Sequence, residues 1–372
     1  MIKILFISHE ATRTGAPLSM LSMLRYIVEH NKDITFDILL LNGGSLINDF
    51  ASVGCIYELK RKRTIGKIIR RKLLRQDVPY DYDLSFLHNT KYNLIYANSI
   101  ASINYLQLIE STIHAPILMH IHESEYLMEA HNISSTALNL CHHFIANSRL
   151  VERTLIKKFG IKRSRITVIF PFSDFESLAL CHQKHHILRK DDFVIGLVGY
   201  TSWIKGTDIL PILIKRMEEK YPEQPFRFIH IGKLYEESRR QLKYDISHID
   251  GFNRVSFIGP TEKPVDLYAQ FDVFLLLSRE DSFSLACAEN ALMGNPIICM
   301  EGASGIAEEL KKENAAIVVP YLSIESICDA IHKLWIDSSL YSELSYKAAE
   351  KAKTTFLKDC SINKIISLLR KY

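Results

Sequence analysis

The run FLLLSREDSFSLACAENALMGNPII, Phe274 to Ile298, decides how the chain folds. Phe274 to Leu277 is an unbroken apolar run of strand length, and Ser278 to Asp281 interrupts it. Phe283, Leu285, Ala286, Ala288 and Leu292 then recur at helical spacing until Gly294 and Pro296. The pattern predicts a strand, a tight acidic turn and a helix that opens at Ser282, Phe283 and Ser284. Unpaired backbone N–H groups at a helix start carry partial positive charge and suit a phosphate or pyrophosphate. Glu289 follows Asp281 by a little over two helical turns, so the two carboxylates fall on roughly the same face.

The same alternation runs through the whole chain. Strand-like runs at Ile2 to Ser8, Ile34 to Leu41, Leu94 to Ala97, Ile117 to Ile121, Phe144 to Ala146 and Ile166 to Phe170 are separated by helical pieces, among them Pro17 to Glu29 and Arg149 to Phe159. A second series comprises Phe193 to Val198, Phe226 to Ile231, Val255 to Ile258, Val273 to Leu277, Pro296 to Cys299 and Ile317 to Val319. Such alternation predicts an α/β chain with two Rossmann-like, doubly wound parallel sheets, residues 1–170 and 191–359, whose strand ends meet at a central cleft. Residues 171–190, polar and His-rich, read as the linker, and 360–372 as a terminal helix.

At 372 residues the chain is long enough for two domains, and 47% hydrophobic with 24% charged residues is the balance of a soluble globular protein. A net charge of +4 excludes global polyanion binding. Seven cysteines without a CxxC pair (Cys55, Cys141, Cys181, Cys287, Cys299, Cys328, Cys360) point to reduced thiols and a cytoplasmic setting. The apolar start ends at Ser8-His9-Glu10 without a cleavage site, so it reads as a first strand and not a signal peptide. No run reaches the roughly 20 apolar residues of a membrane span.

An anion cradle flanked by two carboxylates suits a nucleotide-sugar: amides for phosphates, carboxylates for sugar hydroxyls. At these residues the chain resembles the retaining GT-B glycosyltransferases of family 4, whose second domain carries Glu, seven residues, Glu, then Gly-x-Pro. Here the match is Asp281, seven residues, Glu289, then Gly294-Asn295-Pro296. The resemblance implies that Glu289 holds the nucleotide ribose and Asp281 contacts the transferred sugar. Asp is one methylene shorter than Glu, so either the sugar rides deeper or Glu280 shares the task. On local grounds alone, Asp281 is a helix cap bonded to the Ser284 amide and Glu289 a solvated helix residue. Lys205-Gly206 matches the family's Lys-Gly, and its ammonium would neutralise a leaving diphosphate. Where members often place an Arg, this chain has Gly199-Tyr200-Thr201-Ser202, leaving Arg279, Arg13 or Lys233 as substitutes. Gly232 and Lys233 end a strand and line the expected nucleotide pocket.

In the first half, Gly15 and Ala16 carry little side chain ahead of Pro17, so a phosphate or an acceptor hydroxyl can approach the backbone there. The family carries a glycine-rich loop at this place. His120 and His122 alternate on one side of a predicted strand. His122-Glu123 resembles the family's His-Asp pair, which implies contact between His122 and the transferred sugar; the other reading is a core histidine satisfied by a carbonyl. Asn147 matches a cleft-lining position and is equally an ordinary cap. KRKRTIGKIIRRKLLR, Lys60 to Arg75, reads as a basic amphipathic helix for an anionic membrane surface or a lipid diphosphate headgroup, or as a solvated helix with a core stripe. One short basic segment without aromatic interleaving speaks against nucleic acid.

The resemblance implies a retaining transferase acting from a nucleotide-sugar onto an acceptor hydroxyl of a polysaccharide or lipid-linked glycan, at the inner face of the cytoplasmic membrane, with 360–372 packed back on the first domain. Catalysis would involve His122, Asp281 and Lys205. The donor would lie on Gly15, Ala16, Lys205, Ser282, Phe283, Ser284 and Glu289, with Arg13, Glu280, Asn147, Gly232 and Lys233 as further candidates. Lysine and helix amides supply the countercharge, so neither metal nor cofactor is expected. The rivals are a nucleotide-sugar 2-epimerase of the same architecture and a two-lobed small-ligand binding protein.

Overall fold

The computed structural model describes residues 1–62, 81–88, 90–131, 133, 135–172, 192–249, 253–261, 263–356 and 358–372. The chain divides into two compact units. One comprises Met1–Asn147, Thr154–Ile169 and Ile362–Tyr372; the other comprises Ser148–Arg153 and Phe170–Ser361.

The first unit holds β1 (Ile2–Ser8), β2 (Ile34–Leu40), β3 (Cys55–Glu58), β4 (Lys60–Arg61), β5 (Tyr82–Asp83), β6 (Leu94–Ala97), β7 (Ile117–Ile121), β8 (Cys141–Ala146) and β9 (Ile166–Val168). Seven of these form a parallel sheet in the order β3-β2-β1-β6-β7-β8-β9, while β4 and β5 pair antiparallel. Helices cover both faces of such a sheet, so its inner strands carry no polar alternation. Ile4, Leu5, Phe6 and Ile7 of β1 are accordingly all fully buried. β3 gave no sequence signal because Cys55 and Glu58 are exposed at the sheet edge. At the C-terminus, Arg370 donates to Asp33 at 2.9 and 3.0 Å and to Asn31 at 3.0 Å.

The second unit holds β10 (Phe193–Val198), β11 (Phe226–Ile231), β12 (Val255–Ile258), β13 (Val273–Leu276), β14 (Ile297–Met300) and β15 (Ile317–Val319), parallel in the order β12-β11-β10-β13-β14-β15. Alternate residues of β13 feed two cores. Leu275 belongs to the core that includes Leu213, Met217 and Ile331; Phe274 and Leu276 belong to the core that includes Ala288, Ala291 and Phe356. In each sheet the strand order reverses at one place, between β1 and β6 and between β10 and β13. Ligands of doubly wound folds bind outside the carboxyl ends of the strands at such a switch point.

The opening stretch departs from its predicted form at the turn. The helix runs Leu285–Leu292, and Ser284 is its cap, accepting from the Cys287 N–H at 3.4 Å. Ser282 to Ser284 therefore stand outside the helix. The cause is Phe283, whose ring is buried beside Phe170 and Phe356 at centroid distances of 5.7 and 5.1 Å, which pulls the turn inward. The chain then reverses through φ +73° at Ser284. After the helix, Gly294 adopts φ +75°, and the Ser345 hydroxyl donates to its carbonyl at 2.6 Å.

Of the basic run, Lys60 and Arg61 lie in β4 and not in a helix, and 63–75 fall outside the described residues, as do 173–190 of the expected linker. Among the described residues no helix is long and apolar enough to cross a membrane.

A left-handed φ strains any residue with a Cβ, whereas glycine caps a helix almost as well as serine. Ser284→Gly is therefore expected to stabilise the protein by about 1 kcal/mol, read as a raised Tm. A lowered Tm would show that the cap outweighs the strain.

Candidate functional site

In the second unit the candidate residues gather at the β10/β13 switch. The loop leaving β10 passes Gly206 at φ +69°, where an added Cβ would stand 2.0 Å from the Leu277 carbonyl oxygen. Only glycine lets this loop settle against the end of β13. Lys205 Nζ then reaches Asp281 Oδ2 at 2.6 Å. The other carboxylate oxygen, Oδ1, accepts from the Phe283 N–H at 3.2 Å. The Asp281 backbone is held too, its N–H donating to the Ala303 carbonyl at 2.8 Å and its carbonyl accepting from the Gly305 N–H at 3.2 Å. Burial pulls the Lys205 ammonium pKa down, but Asp281 and Tyr200 outweigh it and leave the value raised. Asp281 thus caps the Phe283 amide and not, as expected, the Ser284 amide. Glu280 lies half-buried in the same turn.

Glu289, on the helix that follows, is half-buried and accepts from the Tyr268 hydroxyl at 3.1 Å, so it is not a solvated helix residue. Burial, and then the Glu289 carboxylate, push the Tyr268 pKa up, so this hydroxyl keeps its proton and the bond persists across the physiological range.

Next to the switch, Gly232 at φ +142° lies where a Cβ would be 2.0 Å from the Gly199 carbonyl oxygen, and the Thr201 N–H donates to the Lys233 carbonyl at 2.9 Å. The ends of β10 and β11 are joined by these contacts. Lys233 Nζ stands 4.7 Å over the Tyr235 ring. Two cations named as substitutes on a diphosphate are paired with carboxylates instead. Arg279 makes two 2.7 Å hydrogen bonds to Asp208 and a third to the Trp203 carbonyl, and Arg13 lies 3.8 Å from Asp49.

In the first unit the β1/β6 switch brings together Ala16, Asn98, His122 and Asn147. Asn98, at the end of β6, donates from Nδ2 to the Ala16 carbonyl at 2.8 Å. Its Oδ1, 3.0 Å from His122 Nε2, therefore accepts, and the imidazole carries its proton on Nε2. Asn147 Nδ2 donates to the His122 carbonyl at 3.3 Å. Glu123 braces the neighbouring turn, accepting from the Ser99 hydroxyl, the Ile100 N–H at 3.1 Å and the His122 N–H at 3.0 Å. The His120 and His122 rings lie 4.0 Å apart, as their spacing on one strand predicts, and the Tyr96 hydroxyl is 2.6 Å from His120 Nδ1. Gly15 begins the helix Gly15–His30, two residues before Pro17, and a Cβ there would meet nothing within 4 Å. Packing does not demand that glycine.

Sequence reasoning missed Asn98. The signal was present: Ala97-Asn98-Ser99 ends β6 with the same tripeptide, Ala146-Asn147-Ser148, that ends β8 and was singled out. It also missed Tyr268 and Asp208, whose partners are distant in the chain. Among the described residues no three His, Cys, Asp or Glu side chains are placed to hold a metal ion.

Burial lowers His120 well below the ordinary histidine range and takes His122 and His230 to about 4. All three are neutral in the folded chain near pH 7. The unfolded chain takes up these protons below a pKa of about 6.5, so this stability is complete above that pH and is lost as pH falls toward 4. A Tm that falls between pH 6.5 and 4.5, less steeply in His122→Gln, is the expected result. The same slope in both proteins would remove His122 from this account.

Two family models match the chain: "Glycosyltransferase Family 4" over residues 53–177 and "Glycosyl transferases group 1" over 192–337, together most of its length. The D-inositol 3-phosphate glycosyltransferase of Kribbella flavida is 22% identical over 56% of this chain and 52% of its own length. The mannosylfructose-phosphate synthase of Agrobacterium fabrum is 24% identical over 58% and 50%. The chain thus spans about half the length of these curated relatives. Among solved structures, Anabaena Alr3699/HepE in complex with UDP and glucose aligns over 100% of both chains with a TM-score of 0.79 at 18% identity, a likeness of fold. The two sheets, the Lys205-Gly206 and Asp281/Glu289 constellation and both family models agree: the chain belongs to the group 1 glycosyl transferases of family 4 and has the GT-B fold.

Proposed function

We propose that the protein transfers a sugar, with retention of anomeric configuration, from a nucleotide-sugar to an acceptor hydroxyl of a polysaccharide or lipid-linked glycan. The observation that carries this reading is the Lys205–Asp281 pair at the second unit's switch point, with Glu289 anchored beside it on Tyr268. An ammonium held in a partly buried site stabilises charge that develops on a leaving diphosphate more than it would in water. Asp281 accepts from sugar hydroxyls, and Glu289 accepts from the ribose. His122, neutral and tautomerically set by Asn98, positions the reacting sugar and does not act as a cation. The chemistry then rests on positioning and on countercharge from Lys205, with no metal assigned.

Relatives support the donor class. Solved structures of Anabaena Alr3699/HepE hold UDP and UDP-glucose, which makes a uridine nucleotide the first donor to test. The acceptors named for curated relatives vary, and one relative at 24% identity is a capsular polysaccharide biosynthesis glycosyltransferase, CapM of Staphylococcus aureus. A glycan acceptor follows that example. These names describe transferases and synthases, which disfavours the epimerase reading. We assign the enzyme to the cytoplasmic side of the membrane, with the basic run 60–75 toward an anionic lipid surface.

The test is a thermal shift with UDP, GDP, dTDP and ADP on the wild type, Glu289→Ala and Lys205→Ala. One nucleotide should raise the Tm of the wild type, and both substitutions should shrink that rise, because a ligand bound only by the native state stabilises it by mass action. No shift with any of the four would overturn the donor site and favour a small-ligand binding protein.

A further inference from the structure

The second unit carries a crevice of about 590 Å³ between the loop that holds Ser202 and Trp203 and the helix Glu236–Ser247. That volume lies within the range of small-ligand pockets. Lys205, Asp281 and Glu289 are not among its lining residues, but Ser202, Trp203 and Thr207 belong to the loop that carries Lys205, so the crevice adjoins the candidate diphosphate site. Two large aromatic rings line it with unusual exposure, Trp203 at 55% and Tyr244 at 66%. Both are braced. The Arg279 guanidinium lies 5.0 Å over the Trp203 ring, and Tyr244 packs on His248 at 4.4 Å. A braced ring loses little side-chain entropy when a ligand covers it.

The polar lining narrows the ligand. Asp208 is neutralised by its two hydrogen bonds from Arg279. Glu237 and Asp245 face a single cation in the lining, Arg240, so the wall is near neutral and slightly acidic. That balance opposes phosphates, nucleic acid and anionic lipid. Gln241 and Ser238 add neutral donors and acceptors. Aromatic faces for C–H surfaces, with carboxylates and an amide for hydroxyls, are what an uncharged sugar chain offers and requires.

We infer that this crevice is a binding subsite for a neutral oligosaccharide, which holds the acceptor glycan outside the reacting centre. The inference rests on the glycan-acceptor reading above and goes beyond it in placing a second carbohydrate site on the nucleotide-binding unit.

The chain has two tryptophans, Trp203 and Trp335, so Trp335→Phe leaves Trp203 as its sole fluorescent indole. This variant is titrated with gluco-, manno-, galacto- and N-acetylglucosamine tetrasaccharides, and with a sulfated oligosaccharide as the charged control. At least one neutral chain should change the Trp203 emission saturably. Adding Tyr244→Ala, on a different element, should weaken that binding by about tenfold or more, while the nucleotide thermal shift stays unchanged. No saturable response to any neutral chain, a response to the sulfated chain alone, or affinity that Tyr244→Ala leaves intact would overturn the inference. Failure of the nucleotide shift in the unsubstituted protein overturns the donor reading instead.

Discussion

The ion pair between Lys205 and Asp281 is the constraint on which the second unit's site depends. The lysine side chain is 24% exposed and the aspartate 9%, so neither charge is fully hydrated. Such charges need each other: removing one partner of a buried pair costs about 3–5 kcal/mol, less where water still reaches the site. Three further hydrogen bonds fix Asp281, two through its backbone and one through its side chain to Phe283. Gly206 sets the approach of the lysine by allowing its loop to touch the Leu277 carbonyl. The pair therefore joins the loop after β10 to the turn after β13 at the place where strand order reverses. A positive group is held there in position, before any ligand arrives.

The first unit solves the same problem with neutral groups. Asn98 joins the Ala16 carbonyl to the His122 imidazole across the β1/β6 switch. Both hydrogen-bonding ends of one amide are used, which fixes its orientation and with it the histidine tautomer. Burial then keeps His122 uncharged. Each unit thus carries a polar bridge at its own switch point, an ion pair in the second and neutral groups in the first. In the proposed reaction the second unit supplies countercharge through Lys205 and accepts from the sugar through Asp281, while the first unit adds the neutral His122 against the sugar.

The inner strands β1, β6, β7 and β10 were legible because both faces of a parallel sheet are buried, which leaves them predominantly apolar. β11, despite Arg227 and His230, and the partly buried edge strands β12 and β15 still carried enough apolar residues to be read. The half-exposed edge strand β3 had no such mark. Lys205 and Asp281 were each named as candidates from their motifs, but their mutual pairing was not legible, since 76 positions separate them. The same distance effect hid the partner of Arg279, Asp208, which lies 71 positions away. The helix start was placed too early because local spacing records that Phe283 is apolar and not that its burial pulls the turn inward. Asn98 was overlooked although its tripeptide repeats elsewhere, because an Asn-Ser after a strand is usually punctuation.

The most direct measurement of the central claim is the dissociation constant of the stabilising nucleoside diphosphate for Lys205→Met, Asp281→Asn and the double variant, compared with the wild type. If Lys205 is the countercharge and Asp281 holds it for the sugar, Lys205→Met binds the diphosphate at least about tenfold more weakly, a loss of about 1.4 kcal/mol. Asp281→Asn, which frees the ammonium from its carboxylate, keeps or gains diphosphate affinity while sugar transfer falls. Equal losses of affinity in the two single variants would contradict the account and reduce the pair to a brace of the fold.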